Sequence, residues 1–251
     1  MLDNFCWGDP TKSDRLGSLV RAVQGCTDGA RLYKMPFISG KDSLFNEFDG
    51  EAIPGTLLIS ALGLVPDFTT AINSAGMSAG DDLWFVGEHQ DALGGSLASD
   101  AFMLGATEVP SPLSDPLPRY RAVHEAISKG LITAAHDCSD GGLSVAVAEM
   151  AIAARLGVSV IVPIDGCDPF TAMTNEAPGR LVLSASAADR DAVAAALGDH
   201  ARRIGEVTGS DRIVFRVPDQ PGEPGVEGLS LAVVDVPLDE AVLANTKGAA
   251  L

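Results

Sequence analysis

Three short stretches carry side chains able to do chemistry. The first pairs Asp3-Asn4 with Gly40-Lys41-Asp42-Ser43. One predicted helix separates them, so they read as two strand ends of an α/β crossover, which share a rim where ligands sit. Asp3 and Asp42 are of the type that ligates magnesium directly or through water, and Gly40 lets a phosphate approach the backbone. The surrounding string PFISGKDSLFNEF, Pro36 to Phe48, reads as a short apolar strand that breaks at Ser39-Gly40 into a glycine-hinged corner. At this level two readings stand: a ligand site, or polar residues of a turn.

The second stretch is His136-Asp137-Cys138-Ser139-Asp140-Gly141-Gly142, between a predicted strand and a predicted helix. Ser139 or Asp140 is the expected cap, and the glycines leave the helix N–H groups open to an anion. A good cap and nothing more explains the same residues. A His136–Cys138 catalytic pair is weaker, because no third group is marked to orient it. The third stretch, Asn175-Glu176-Ala177-Pro178-Gly179-Arg180, offers a carboxylate and a guanidinium for a substrate clamp or a surface ion pair. Local physics leaves that choice open.

The elements that position these residues follow from periodicity and breakers. Leu2 to Trp7 reads as a strand. A helix follows, capped by Ser13 or Asp14, with Leu16, Leu19, Val20, Val23 and Ala30 at helical spacing. Pro36 to Gly40 is the next expected strand, Asn46 to Pro54 a hairpin-like acidic loop, and Thr56 to Val65 a buried strand. Residues 1–65 therefore supply a sheet with an open edge and a thin core, as the back half of a domain would. Residues 66–80 read as a linker and 81–251 as a second domain. There, strands are expected at Asp82 to Val86, Leu131 to Ala135, Val158 to Pro163, Leu181 to Ser184 and Leu229 to Val234. Helices are expected at Pro116 to Ser128, Leu143 to Leu156 and Ala187 to Leu197, with a short one closing the chain. Arg203 to Val207 and Arg212 to Val217 read as a hairpin turning at Gly209-Ser210-Asp211, and Pro218 to Gly228 as a loop.

Composition narrows the partners. The net charge of −17 repels polyanions, which excludes nucleic acid and anionic membrane as natural partners. No apolar run approaches the ~20 residues of a membrane helix, and MLDNFCWGDP has no signal-peptide pattern. Cys6, Cys26, Cys138 and Cys167 are scattered without a CxxC pair, so a reducing cytoplasm is the expected setting.

Together LDNFCWGDP, PFISGKDSLFNEF, PGTLLISALG, LGGS, HDCSDGGLSVAVAEM, NEAPGR and IGEVT resemble, in order, the C-terminal half of phosphoribosylformylglycinamidine synthase (FGAM synthase, PurL). The resemblance covers nearly the whole chain. It implies an α+β, PurM-like (AIR synthase-related) fold. Residues 1–65 would be the C-terminal part of a second A-type domain, half of a β-barrel-forming unit, and 81–251 a complete α/β layered B-type domain. The family uses ATP and Mg2+ to activate the amide oxygen of formylglycinamide ribonucleotide, and glutamine-derived ammonia then displaces phosphate. Asp3 and Gly40 resemble residues that contact ATP, and Ser43 one that contacts the ribonucleotide. Lys41 departs from the usual metal-reaching Asn; a lysine cannot ligate magnesium, so it is expected directly on phosphate and is grouped with Asp3 and Gly40 as ATP-binding, with Asp42 as a weak metal candidate. Asp137, Asp140, Gly141 and Gly142 correspond to an auxiliary nucleotide pocket. The resemblance places the catalytic histidines in the first half of the enzyme and none in this chain. The implied partners are that first half, a glutaminase and a small accessory subunit. Related kinases and synthases of the same fold, or a non-catalytic nucleotide-binding scaffold, are the alternatives.

Overall fold

Leu2–Cys6 (β1) and Ser39–Ser43 (β2) pair in parallel, joined through the helix Ser13–Tyr33 (α1). The short strands Glu47–Phe48 (β3) and Glu51–Ala52 (β4) form the expected hairpin. Thr56–Ser60 (β5) returns antiparallel on the other side of β1, giving the order β2-β1-β5. The computed structural model describes residues 1–218 and 230–248, and its internal contacts divide it into two units. The first is Met1–Pro66 with Asp115–Leu117; the second is Asp67–Ser114 with Pro118–Leu251.

The first unit departs from expectation in three places. SGKDS is not a corner after a strand but the strand itself, while Pro36–Ile38 lies outside it. The parallel register from Leu2↔Ser39 to Cys6↔Ser43 satisfies the backbone, and an edge strand tolerates polar side chains on both faces. Thr56 to Val65 is neither a strand throughout nor buried: β5 stops at Ser60, and Leu62 and Leu64 are 87% and 92% exposed. As the other edge of a three-stranded sheet, β5 has too little packed against it to be covered. Finally, Lys12 holds the N-cap position of α1 without a side-chain cap; Ser13 and Asp14 are already helical, and Asp14 pairs with Arg15.

The second unit is a seven-stranded sheet between helices. Its further elements are Asp82–Val86 (β6), Leu97–Ala101 (α2), Leu117–Ser128 (α3), Ala134–Asp137 (β7), Gly142–Ala154 (α4) and Gly157–Ile161 (β8). Pro169–Thr174 (α5), Leu181–Ala185 (β9), Arg190–Leu197 (α6), Ala201–Thr208 (β10), Arg212–Pro218 (β11), Ser230–Pro237 (β12) and Leu238–Gly248 (α7) complete it. The strand order is β12-β11-β8-β10-β6-β9-β7. β6 is buried at every position. Leu83 and Phe85 enter one apolar layer with α4 and α5, while Trp84 and Val86 enter the other with α3 and α6. That two-sided burial follows from the period-two alternation of a strand. α4 buries Leu143, Ala146, Val147, Met150 and Ala151, the i, i+3, i+4 stripe of a helix on a sheet.

Arg203–Val207 and Arg212–Val217 do not form a hairpin. β8 lies between β10 and β11, antiparallel to the first and parallel to the second. Val158 and Val160 of β8 are fully buried, so the position between two strands suits it better than an edge. The Gly209–Asp211 connection passes over the start of β8, and Gly157 donates to the Ser210 carbonyl at 2.9 Å. A Cβ at Gly157 would stand 2.5 Å from that oxygen, so the crossing requires glycine. The Pro218–Gly228 loop lies outside the described residues beyond Pro218, and the last strand begins at Ser230.

Candidate functional site

Register divides the predicted residues of the first unit between two faces. Asp3 pairs with Gly40 and Phe5 with Asp42; Asn4 pairs with Lys41 and Cys6 with Ser43. Paired residues project from one face and successive residues from opposite faces. Asp3, Gly40 and Asp42 therefore share one side, and Asn4, Lys41 and Ser43 the other. α1 lies on the Asp3 side. Trp7, whose ring centroid is 6.1 Å from that of Phe5, donates its indole N–H to Ser18 of α1 at 2.9 Å. Burial pushes the Cys26 thiol of α1 up, and the Asp3 carboxylate adds to it. β2 is an edge strand, so a ligand lying across that edge reaches both faces.

Gly40 serves Asp3. A Cβ there would meet the Asp3 carboxylate oxygen at 2.2 Å. Asn46, which the sequence reading passed over, fixes the end of β2. Its carboxamide donates to the Ser43 carbonyl at 2.6 Å and the Trp7 carbonyl at 3.2 Å, and Ser43 Oγ lies 3.4 Å from its Oδ1. Glu47 anchors the following hairpin to Lys12, the Asp9 amide and Arg15, which together hold its carboxyl down at about 2. Asn46 and Glu47 were visible only as polar residues after the motif.

In the second unit, the HDCSDGG and NEAPGR stretches converge. His136 and Asp137 end β7, with His136 Nε2 3.1 Å from the Glu149 carboxylate. Ser139 hydrogen-bonds the Asp137 carboxylate and holds it below its usual range. The cap of α4 is Gly141 rather than Ser139 or Asp140, at φ 77°, with Gly142 at φ 67°. A side chain at Gly142 would strike the Asn175 carbonyl at 2.4 Å. Glu176 is the surprise. Its Oε1 accepts from the Gly141 amide at 2.8 Å and from the Leu97 amide of α2 at 2.9 Å. The open N–H group expected for an external anion is thus engaged by a carboxylate of the chain. A cleft of about 350 Å³ lies beside it, lined by Leu97, His136, Asp137, Asp140 and Glu149. Cys138 is buried, and burial pushes its thiol up to about 12, which disfavours the thiolate that a His136–Cys138 pair would need.

Arg180 is neither surface clamp nor ion pair. It is 2% exposed, donating from Nε to the Ala177 carbonyl at 2.8 Å and from Nη2 to the Asn175 carbonyl. Nη1 lies 3.0 Å from His89 Nδ1. A guanidinium only donates, so His89 accepts at Nδ1 and stays neutral; burial first, and Arg180 second, press it down to about 4. The loop is wound around its own arginine. His89 carried no sequence signal, since a lone histidine in GEHQ has no spacing partner. A second cleft of about 490 Å³ near Gly87, Asp165, His200 and Arg202 mixes both charge signs and holds none of the predicted residues.

A three-layered α/β unit following a strand–helix–strand unit defines an α+β class of protein. Residues 78–218 match the AIR synthase related protein, C-terminal domain, and the chain belongs to that family. It is 36% identical over 209 residues to the phosphoribosylformylglycinamidine synthase subunit PurL of Chelativorans sp. (strain BNC1), covering 81% of this chain and 28% of that protein. It is 34% identical over 199 residues to the PurL subunit of Sinorhizobium fredii, covering 77% and 26%. The chain thus spans little more than a quarter of the curated relatives it matches. Among solved structures it is similar to T. maritima PurL complexed with FGAR, with TM-score 0.68, 16% identity, and coverage of 96% of this chain and 38% of that one. It is also similar to E. coli HypE, a hydrogenase maturation protein, with TM-score 0.61, 18% identity, and coverage of 93% and 72%. Among the described residues, no helix is long and apolar enough to cross a membrane.

Proposed function

We propose that this chain is the C-terminal portion of phosphoribosylformylglycinamidine synthase, working in the cytoplasm. In that reaction ATP activates formylglycinamide ribonucleotide, and glutamine-derived ammonia yields the amidine. One observation carries the reading: SGKDS is registered against LDNFC, in a chain like PurL, so that a cation and a hydroxyl stand on one face. Lys41 is assigned to a phosphate, Ser43 to the ribonucleotide, and Asp3 and Gly40 to ATP reached across the β2 edge. The required partners are the first half of the enzyme, a glutaminase and a small accessory subunit. Residues 1–65 and 81–251 are assigned to A-type and B-type domains, with 66–80 between them.

Magnesium fits these residues only in part. Asp3 and Asp42 share a face, but no cluster of three or more His, Cys, Asp or Glu ligands occurs among the described residues. A full oxygen shell needs ligands beyond this chain, and no step is assigned to the metal here. Asp137, Asp140, Gly141 and Gly142 support a second, auxiliary nucleotide site beside the 350 Å³ cleft, in which a phosphate competes with Glu176.

The test is product formation from ATP, magnesium, ammonia and formylglycinamide ribonucleotide. The expected result is none from this chain alone and turnover when the first half is added. Turnover by the chain alone, or none with the complement present, overturns the reading.

A further inference from the structure

Asn4 stands in the middle of the Lys41 face, and no assignment above uses it. It is the register partner of Lys41 on one side and of Leu58 on the other; the next row is Ser43, Cys6 and Thr56. α1 and the carboxylates of Asp3 and Asp42 belong to the opposite face, so the nearest acidic residues of β1 and β2 do not share the Asn4 side. The Cys6 thiol donates to Asn4 Oδ1 at 3.6 Å. That contact turns the oxygen of the carboxamide toward Cys6 and leaves its NH2, with two donor hydrogens, facing away. Among the described residues this NH2 has no hydrogen bond, and the Lys41 ammonium has no ion pair.

We propose that Asn4 is a second ligand-holding residue, sharing one phosphoryl group with Lys41. The inference rests on the reading of SGKDS as a phosphate-binding strand and names a residue that reading lacks. Neighbouring strands lie about 4.8 Å apart, which the oxygens of one phosphoryl group bridge between an amide and a flexible ammonium. Ser43 is two residues further along β2, about 6.6 Å away, the reach from a phosphate to a hydroxyl of the sugar that carries it. The three donors together therefore select a phosphorylated sugar over inorganic phosphate. Inorganic phosphate meets only Lys41 and Asn4.

The experiment titrates ribose 5-phosphate, and separately inorganic phosphate, into the full 251-residue chain, with thermal unfolding alongside. The variants are Asn4→Ala, Asn4→Asp, Lys41→Ala, Ser43→Ala and the double variant Asn4→Asp with Lys41→Ala. Asn4→Ala is expected to weaken ribose 5-phosphate by about three- to tenfold, the loss of one neutral hydrogen bond. Asn4→Asp keeps the size of the side chain but sets a carboxylate beside Lys41, so its loss is at least that of Lys41→Ala and the two are not additive. A structural residue gives no such non-additivity at unchanged Tm. Ser43→Ala is expected to weaken ribose 5-phosphate and leave inorganic phosphate unchanged.

If Lys41→Ala and Ser43→Ala lose affinity while both Asn4 variants keep it, the Asn4 inference falls and the phosphate reading stands. If wild type binds neither probe at millimolar concentration, or all variants bind alike, that reading falls and takes the inference with it. Unfolding of both Asn4 variants also overturns it, because Asn4 is then structural.

Discussion

Lys41 and Gly40 are chain neighbours with opposite tasks, because alternation along β2 sends them to opposite faces. Gly40 makes room for the Asp3 carboxylate, whereas Lys41 projects as an exposed cation beside Asn4. A charge-assisted bond from Lys41 to phosphate is worth about 1.5–3 kcal/mol, against about 0.5–1.5 for a neutral one from Ser43. With the proposed first half of the enzyme present, Lys41→Ala is therefore expected to weaken a phosphorylated ligand about ten- to a hundredfold. Ser43→Ala should cost less and act mainly on the ribonucleotide. Neither should lower Tm appreciably, since neither side chain is in the core. Titrating ATP and ribonucleotide against both variants checks this, and a fall in Tm at constant affinity would make the strand structural. Gly40→Ala separates the faces: it displaces Asp3, so ATP should weaken while Lys41-dependent phosphate binding survives.

At the scale of elements, the loop Asn175–Arg180 ties three segments together, and its chemistry predicts a pH dependence. His89 is neutral when folded, held down to about 4 by burial and Arg180, against 6.5 when free. Between those values the unfolded chain binds the extra proton, so stability rises with pH across the window and is lost as pH falls through it. The contribution is on the order of 3 kcal/mol. Overlapping its lower end, Glu47, held at about 2 by Lys12 and its neighbours, adds a second loss as pH falls from 4.5. Urea unfolding of wild type and His89→Gln at pH 4 to 7 measures the difference; equal slopes would refute the assignment. Glu176→Ala should likewise free the Gly141 and Leu97 amides and tighten ADP, measured by titration, whereas unchanged affinity would mean that Glu176 does not compete there.

The sequence made most helices of this protein legible, because α3, α4 and α6 carry apolar stripes at helical spacing. It misjudged strand neighbours: nothing local in RIGEVT or RIVFRV says that β8 lies between them, since that pairing is fixed by burial of Val158 and Val160. The SGKDS residues were singled out in the sequence, but their split between faces was not, because a strand read as a turn has no alternation. Glu176 was seen without its partners, which lie 35 and 79 residues away.

The molecule as a whole carries two kinds of surface. The second unit closes a core on both sides of β6, with Phe85 and Val86 fully buried. In the first unit Trp7 is buried, but α1 has no buried residue, and Leu16, Val20, Val23, Ile38, Leu58, Leu62 and Leu64 are all exposed. Both edges of its sheet, β2 and β5, end without a neighbouring strand among the described residues. Apolar side chains and unpaired strand edges on one unit form a surface that water disfavours and another strand can cover. Opposing this, a net charge of −17 repels like copies, and salt screens that repulsion. The purified chain is therefore expected to self-associate in a concentration-dependent way, more strongly as salt is raised. Leu58→Lys with Leu62→Lys should shift it toward monomer without lowering the unfolding temperature of the second unit. Sedimentation velocity across a concentration and salt series decides. A single monomeric species at every salt concentration would show that the exposed face is tolerated in water.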